Sequence, residues 1–316
     1  AQSHKRWRTN LVANFPEHNW TVIALPPRFF SWRLRGNPYS LLMKYREQLE
    51  ADYDRIIATS MTDISTLRGL LPKLARIPTI VYFHENQFVY PIQHEVVQRE
   101  VFHFCMHNLY TAMAADKILF NSEYNRSSFL TGVRKLLKKM PDFAPKAILS
   151  QLELRSNVIP VPLEDDYFIE RPKTDHSTPL SILWNHRWEY DKAPDRLFLA
   201  LEKLQRSAIP FRLSVVGQQF SKIPDCFHTA RNAFASEIEH WGFLESKFEY
   251  QQLLRNADVV VSTAVHEFQG LALLEAIAGG CIPIAPTRLA YPEYVQESHL
   301  YTTSDNLDVE AQALAD

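Results

Sequence analysis

The chain has 316 residues, 46% of them hydrophobic, which is enough to build full cores in two domains of ordinary size. Its 34 Lys and Arg against 36 Asp and Glu leave a formal charge of −2, which excludes a global basic field, so any nucleic-acid partner must be met by a local patch. Cys105, Cys226 and Cys281 have no Cys-x-x-Cys or metal-ligand spacing and no apolar run approaches the roughly 18 residues of a spanning helix, so the expectation is a soluble cytoplasmic protein without disulfides or zinc.

In chain order, Ala1 to Trp7 reads as a loop entering a helix, with Ser3 as N-cap and His4, Lys5, Arg6 and Arg8 as a basic cluster. A parallel sheet normally begins strand then helix, so a first strand is expected before this helix and is missing from the start of the chain. Five short runs follow with β-branched or apolar character: Thr21 to Leu25, Arg55 to Thr59, Thr79 to Phe83, Lys117 to Asn121 and Asn157 to Val161. Longer amphipathic stretches separate them, the rhythm of parallel strands with crossover helices. The stretch Pro160 to Thr178, with Glu164-Asp165-Asp166, Pro172 and a polar end, breaks the pattern and reads as an inter-domain linker. The rhythm then returns at Leu180 to Trp184, Phe211 to Val216, Asp258 to Thr263 and Cys281 to Ala285. Two Rossmann-like α/β domains are predicted, over residues 1–165 and 175–316, both doubly wound and facing a cleft.

Two loops of the second half carry the chemistry. After the apolar strand around Val259 to Ser262 comes His266-Glu267-Phe268-Gln269-Gly270-Leu271, then a helix containing Glu275. Strand, glycine turn and helix start form an anion site, because Gly270 allows close backbone approach and the free N–H groups of a helix start suit a diphosphate. Glu267 in the loop and Glu275 one turn into the helix can face one side, toward a sugar and a ribose diol. The preference of acids for a helix N-terminus would place the same two residues there without any ligand. The second loop, Asn185-His186-Arg187-Trp188-Glu189-Tyr190-Asp191-Lys192, follows the strand ending at Trp184 and sets Arg187 and Lys192 where open sheets bind ligands. Two cations there can neutralise a diphosphate leaving group, although a solvated charged loop has the same composition.

The Glu-x7-Glu pair with its Gly-Leu step, preceded by the Arg-x4-Lys loop, resembles glycosyltransferase family four, and the likeness covers most of the C-terminal half. The resemblance implies the GT-B architecture, with Arg187 and Lys192 on the donor diphosphate, Glu267 at the donor sugar, Glu275 on the ribose and Gly217, in Val215-Val216-Gly217-Gln218, beside the nucleotide. It also places His266, Phe268, Gln269, Gly270 and Leu271 at the donor. The family's frequent second glycine is replaced by Gln218-Gln219.

The N-terminal half narrows the likeness through Ser3-His4-Lys5-Arg6-Trp7, Pro26-Pro27-Arg28-Phe29-Phe30-Ser31-Trp32-Arg33 and Tyr82-Phe83-His84-Glu85-Asn86-Gln87. Together these resemble the tRNA-queuosine mannosyltransferase family over essentially the whole chain. That resemblance implies retaining transfer of mannose from GDP-mannose, a donor substrate rather than a cofactor, to queuosine in the anticodon of the aspartate tRNA. It leaves room for a relative with another acceptor. His84, at a strand end, is expected to bind sugar or departing phosphate, and Glu85, Asn86 and Gln87 form a polar cluster beside it. Asn121-Ser122-Glu123 either lines the same site or caps a helix. For the acceptor, Arg28, Phe29, Phe30, Trp32, Arg33 and Arg35 interleave cations with aromatic faces, the composition that stacks an unpaired base and holds phosphate. His4, Lys5 and Arg6 can add phosphate contacts, as can Arg134, Lys135, Lys138 and Lys139, which equally suit a solvated helix face.

With no Asp-x-Asp anywhere, no metal is expected. A nucleotide-sugar epimerase or phosphorylase would keep this fold without an RNA partner, and a non-enzymatic RNA-binding module would leave the paired glutamates superfluous. A dehydrogenase is disfavoured, because Gly-x-Gly-x-x-Gly is absent and the chain has only eight glycines. No protein partner is inferable.

Overall fold

The computed structural model describes residues 2–26, 29–90, 98–168, 179–220 and 222–316, without the side chains of residues 2, 30, 31, 98 and 99. The chain divides into two compact units, Ala1–Pro162 and Leu163–Asp316, each built on a parallel sheet. The division falls inside the expected linker, whose residues 169–178 lie outside those described. Its described part is not free chain: Tyr167 is buried in the second unit's core, and the ammonium of Lys247 lies 5.2 Å from its ring centroid.

The first unit opens with helices α1 (Gln2–Asn14) and α2 (Phe30–Leu49) and then alternates through β1 (Ile56–Thr59), α3 (Ile64–Leu70), β2 (Thr79–Phe83), α4 (Gln98–Met113), β3 (Lys117–Phe120), α5 (Glu123–Lys139), α6 (Ala147–Leu154) and β4 (Ser156–Val158). The sheet order is β1-β2-β3-β4, all parallel, with Ile80 opposite Lys117 and Phe83 opposite Phe120. Strand β2 is apolar almost throughout because helices cover a parallel sheet, and Val81, Tyr82 and Phe83 are fully buried. Phe83, Phe120 and Phe129 pack ring against ring with centroids 4.8 to 5.5 Å apart, and each such buried side chain contributes about 1.5–3 kcal/mol.

Two expectations need correction here. Thr21 to Leu25 is not a strand: it has no β partner among the described residues, although Ile23 and Leu25 still pack on the core. Ser3 is not an N-cap either, because α1 is already helical at Gln2. Asp63 and Ser122, by contrast, do cap α3 and α5, accepting from Thr66 N–H and Asn125 N–H.

The second unit runs β5 (Leu180–Trp184), α7 (Pro194–Arg206), β6 (Phe211–Val216), α8 (Cys226–Ala233), β7 (Ile238–Gly242), α9 (Lys247–Asn256), β8 (Val259–Val261), α10 (Leu271–Ala278), β9 (Ile282–Pro286), β10 (Leu300–Tyr301) and α11 (Leu307–Ala315). Its order is β10-β9-β8-β5-β6-β7, all parallel. One core, with Leu253, Leu254, Leu273 and Ala276, holds α9 and α10; another, with Leu197, Phe198, Phe227 and Ala230, holds α7 and α8. The order reverses between β8 and β5, so the loops leaving their carboxyl ends diverge and open the crevice typical of doubly wound sheets. The two loops singled out in the sequence are those after β5 and β8.

Candidate active site

At this switch point the loop after β5 passes through Asn185 to Glu189, makes a single turn at Tyr190–Lys192 and enters α7 through Ala193, whose φ of 44° is left-handed. Pro194 then opens the helix, where its missing N–H costs nothing. The loop after β8 is tied to it by backbone. The Asp191 carbonyl accepts from Val265 N–H at 2.9 Å and His266 N–H at 3.3 Å, and the Lys192 carbonyl accepts from Thr263 Oγ1 at 2.7 Å.

Lys192 is buried at the centre. Its Nζ donates to the His266 carbonyl at 2.7 Å and sits 3.2 Å from both Glu267 Oε2 and Asp191 Oδ2. Burial alone would raise Glu267, but the Lys192 ammonium and His186 outweigh it and hold the carboxyl at about 2. Asp191 follows the same pattern: burial opposes its ionisation, and His266, 3.7 Å away, with Lys192 brings it to about 2. Burial also works against the charge on Lys192, and the two carboxylates more than reverse it, so its pKa is raised. The neighbouring His186 is pushed down to about 4, first by burial and then by Lys192, and its Nε2 has no hydrogen-bond partner among the described residues. Arg187 does not join this cluster; it pairs at 2.9 Å with Glu189 and is half exposed.

Gly217 ends β6 at a φ of 153°, and a Cβ there would lie 1.8 Å from the His186 carbonyl oxygen. Only glycine lets the two strand ends come this close. Gly270 begins α10 at a φ of 79°, and a Cβ would lie 2.5 Å from the Tyr294 hydroxyl. The first bond of α10 runs from Leu274 N–H to the Gly270 carbonyl, which leaves the N–H groups of the first turn, from Leu271 on, for an anion. Glu275, one turn in, accepts from Tyr250 Oη at 2.9 Å, and Tyr250 Oη accepts from Asn185 Nδ2 at 3.0 Å. Asn185 Nδ2 also reaches the Ala272 carbonyl, while its Oδ1 is buried without a partner. Phe268 and Gln269 are buried within the same loop, and the Phe268 N–H donates to Glu267 Oε1 at 3.0 Å.

The structure therefore brings Lys192, Glu267, His266, Gly217, Gly270, Leu271 and Glu275 together around one switch point. Sequence reasoning did not single out Asp191, His186, Asn185 and Tyr250. The first three stand inside the quoted loop, whereas Tyr250 lies on α9, outside both quoted loops.

In the first unit, His84 follows β2 as expected, but it is enclosed. Its ring stacks on His4 at 4.1 Å and contacts Tyr82 and Trp7 at 4.7 and 5.4 Å, with neither ring nitrogen hydrogen-bonded among the described residues. Burial drives both imidazoles down, His4 to about 4, so both are neutral at pH 7. His4 thus lies against His84 rather than among exposed cations, whereas Lys5 is exposed and Arg6 half-buried. Asn86 is not presented to a ligand. It is fully buried, donating to Asn125 and Ser128 and accepting from Phe88 N–H, so it shapes the turn after β2. Asn121 likewise spends its amide on the His84 carbonyl. Glu85 is half-buried, and its carbonyl accepts from Ser60 Oγ. Arg28 and the Phe30 side chain lie outside the described residues, while Trp32, Arg33 and Arg35 sit in the first turns of α2. Arg134, Lys135, Lys138 and Lys139 are exposed on α5. Among the described residues no group of three or more His, Cys, Asp or Glu is placed to hold a metal, and no helix is long and apolar enough to cross a membrane.

Residues 166–315 match the group 1 glycosyl transferases. A GDP-mannose-dependent alpha-(1-6)-phosphatidylinositol dimannoside mannosyltransferase of Mycobacterium tuberculosis is 30% identical over 149 residues, covering 44% of this chain and 38% of the relative. Among solved structures, Anabaena Alr3699/HepE in complex with UDP superposes with a TM-score of 0.62 over 97% of this chain and 78% of that one, at 16% identity. S. aureus TarM, of whose length this chain spans about half, gives a TM-score of 0.59 over 88% of this chain at 14% identity. These likenesses, with the two parallel-sheet units, show the GT-B fold. Residues 1–163 match the N-terminal family of tRNA-queuosine alpha-mannosyltransferases, and the Drosophila melanogaster enzyme of that name is 35% identical over 96% of this chain and 82% of its own length. With one family spanning both the unit that carries His4 and His84 and the unit that carries Lys192 and Glu267, the chain belongs to the tRNA-queuosine alpha-mannosyltransferases.

Proposed function

We propose that this protein transfers mannose from GDP-mannose to queuosine in tRNA, with retention at the anomeric carbon, in the cytoplasm. The observation that carries the reading is the Lys192–Glu267 pair at the switch point, beside the free N–H groups of α10, within a chain of this family. The donor diphosphate takes the α10 N-terminus and the Arg187 and Lys192 charges. Glu267 meets the sugar, and Glu275, oriented by Tyr250 and Asn185, holds the ribose.

In the resting site two carboxylates already pair with Lys192, so donor binding requires Lys192 to share its charge with the diphosphate. That sharing makes Lys192 a counter-ion whose interaction strengthens as negative charge builds on the leaving group. The departing diphosphate takes the proton of the incoming hydroxyl on the same face of the sugar, so no protein nucleophile is needed and no metal is called for. The first unit takes the tRNA, through Lys5, Arg6, Trp32, Arg33 and Arg35. Donor competition tests the donor half of this reading: with queuosine-containing tRNA as acceptor and chelator present, GDP-mannose should label the tRNA and UDP-glucose should not. Labelling from UDP-glucose, or a strict demand for added Mg²⁺ or Mn²⁺, would refute it.

A further inference from the structure

Helix α2 of the first unit carries apolar side chains that the described residues of that unit leave exposed. Trp32, Tyr39 and Met43 recur at helical spacing and are 53%, 62% and 68% exposed. Trp32 is held in a particular way. A Cβ at Gly36, one turn on, would lie 2.8 Å from Cε2, Cζ2 and Cη2 of the indole, so the six-membered ring lies across the bare backbone of the glycine. One face of the ring is backed by the helix and the ring remains half exposed.

The turn beneath it is braced. Pro38 donates no hydrogen bond to the Leu34 carbonyl, and Asn37 Nδ2 supplies one instead at 2.9 Å, while also binding the Arg33 and Met61 carbonyls. Asn37 Oδ1 accepts from Asp63 N–H at 2.9 Å, which ties this turn to the start of α3. Cations flank the apolar face. Arg35 and Arg46 make surface pairs with Glu100 at 3.4 Å and Glu50 at 3.0 Å, which exchange at little cost; the Arg35 guanidinium also lies 5.6 Å from the Phe104 ring centroid, and Lys44 is exposed beside them.

We infer that Trp32, seated on Gly36, is a stacking platform for an unpaired base of the acceptor RNA, with Arg35 taking an adjoining phosphate. A rigid aromatic plane beside exchangeable cations is the arrangement that holds single-stranded RNA. Lipid or protein surfaces that cover an apolar helix face need neither a backed ring nor exchangeable guanidiniums beside it. The inference rests on the RNA-acceptor reading above and gives it a specific contact.

The test measures the Kd of the full chain for an anticodon stem–loop of queuosine-containing aspartate tRNA across a salt series, together with the KM for GDP-mannose. Trp32→Ala should weaken RNA binding by about 5- to 100-fold, leave the donor KM unchanged and leave the salt slope unchanged, because no charge is lost. Trp32→Phe should recover most of the loss. Gly36→Ala should weaken binding although Trp32 is intact, since the new methyl displaces the ring. Arg35→Gln should reduce the salt slope by about one. Wild-type RNA affinity in both Trp32→Ala and Gly36→Ala, in an enzyme that still mannosylates tRNA, would overturn the platform alone. Loss of self-association or of vesicle binding in Trp32→Ala, with RNA affinity intact, would overturn it in favour of another occupant. Failure of the wild-type protein to bind or modify any tRNA would overturn the reading beneath it.

Discussion

Replacing Lys192 by methionine keeps the side-chain stem and removes the ammonium that lies 3.2 Å from both Asp191 and Glu267. Two buried carboxylates would then face each other without a counter-ion, and stranding a buried charge in this way costs about 3–5 kcal/mol. The pair relaxes by taking up a proton, so the Glu267 carboxyl, held at about 2 by the ammonium, moves up. Turnover falls for a separate reason: a preorganised cation at the leaving group contributes about 3 kcal/mol, or roughly 100-fold. Urea unfolding and single-turnover mannosyl transfer measure the two losses independently. The double variant Lys192→Met/Glu267→Gln separates them, since removing one carboxylate charge should recover part of the stability and none of the turnover. A Lys192→Met protein with wild-type urea midpoint and wild-type turnover would refute both the pairing and the catalytic assignment.

Three further outcomes are expected. Gly270→Ala should lose donor binding, because its methyl meets the Tyr294 hydroxyl at 2.5 Å, and adding Tyr294→Phe should restore part of it; no rescue in the double variant would point to the φ of 79° alone. His186 is neutral in the fold with a pKa of about 4 against an ordinary value of about 6.5, so its stabilisation is complete above pH 6.5 and is lost as the pH falls toward 4. The loss is at most about 3 kcal/mol, and a His186→Phe protein should show a flatter urea midpoint over that window. Glu310 is fully buried against Arg196 at 3.0 Å and Arg288 at 2.6 Å, so Glu310→Ala should cost about 3–5 kcal/mol and Glu310→Gln less, as read from thermal unfolding.

Much of the fold was legible because parallel strands are buried on both sides and so read as short apolar runs, as at Thr79–Phe83 and Phe211–Val216. The edge strand β7 escaped, since its Ile238-Glu239-His240 start is half exposed and polar, and two-residue β10 carries no periodicity at all. Thr21 to Leu25 misled for the opposite reason: its residues suit a strand, but pairing is decided by what lies alongside. The two loops at the switch point were legible from Gly270 and from residue types that imply anion chemistry. What could not be read was charge balance. Sequence spacing placed Arg187 and Lys192 as equals, whereas the fold buries Lys192 between two carboxylates and leaves Arg187 on the surface with Glu189. His84 was placed at its strand end correctly, yet nothing along the chain announced that His4, eighty residues earlier, would stack upon it.

The central claim is that this chain mannosylates queuosine, and it is tested most directly by incubating the protein and GDP-mannose with tRNA from queuosine-containing and queuosine-free cells, then analysing the nucleosides by mass spectrometry. The account predicts a hexose increment on queuosine from the first tRNA and no hexosylated nucleoside from the second. A hexose on both tRNAs, or on neither while GDP-mannose still binds, would contradict it.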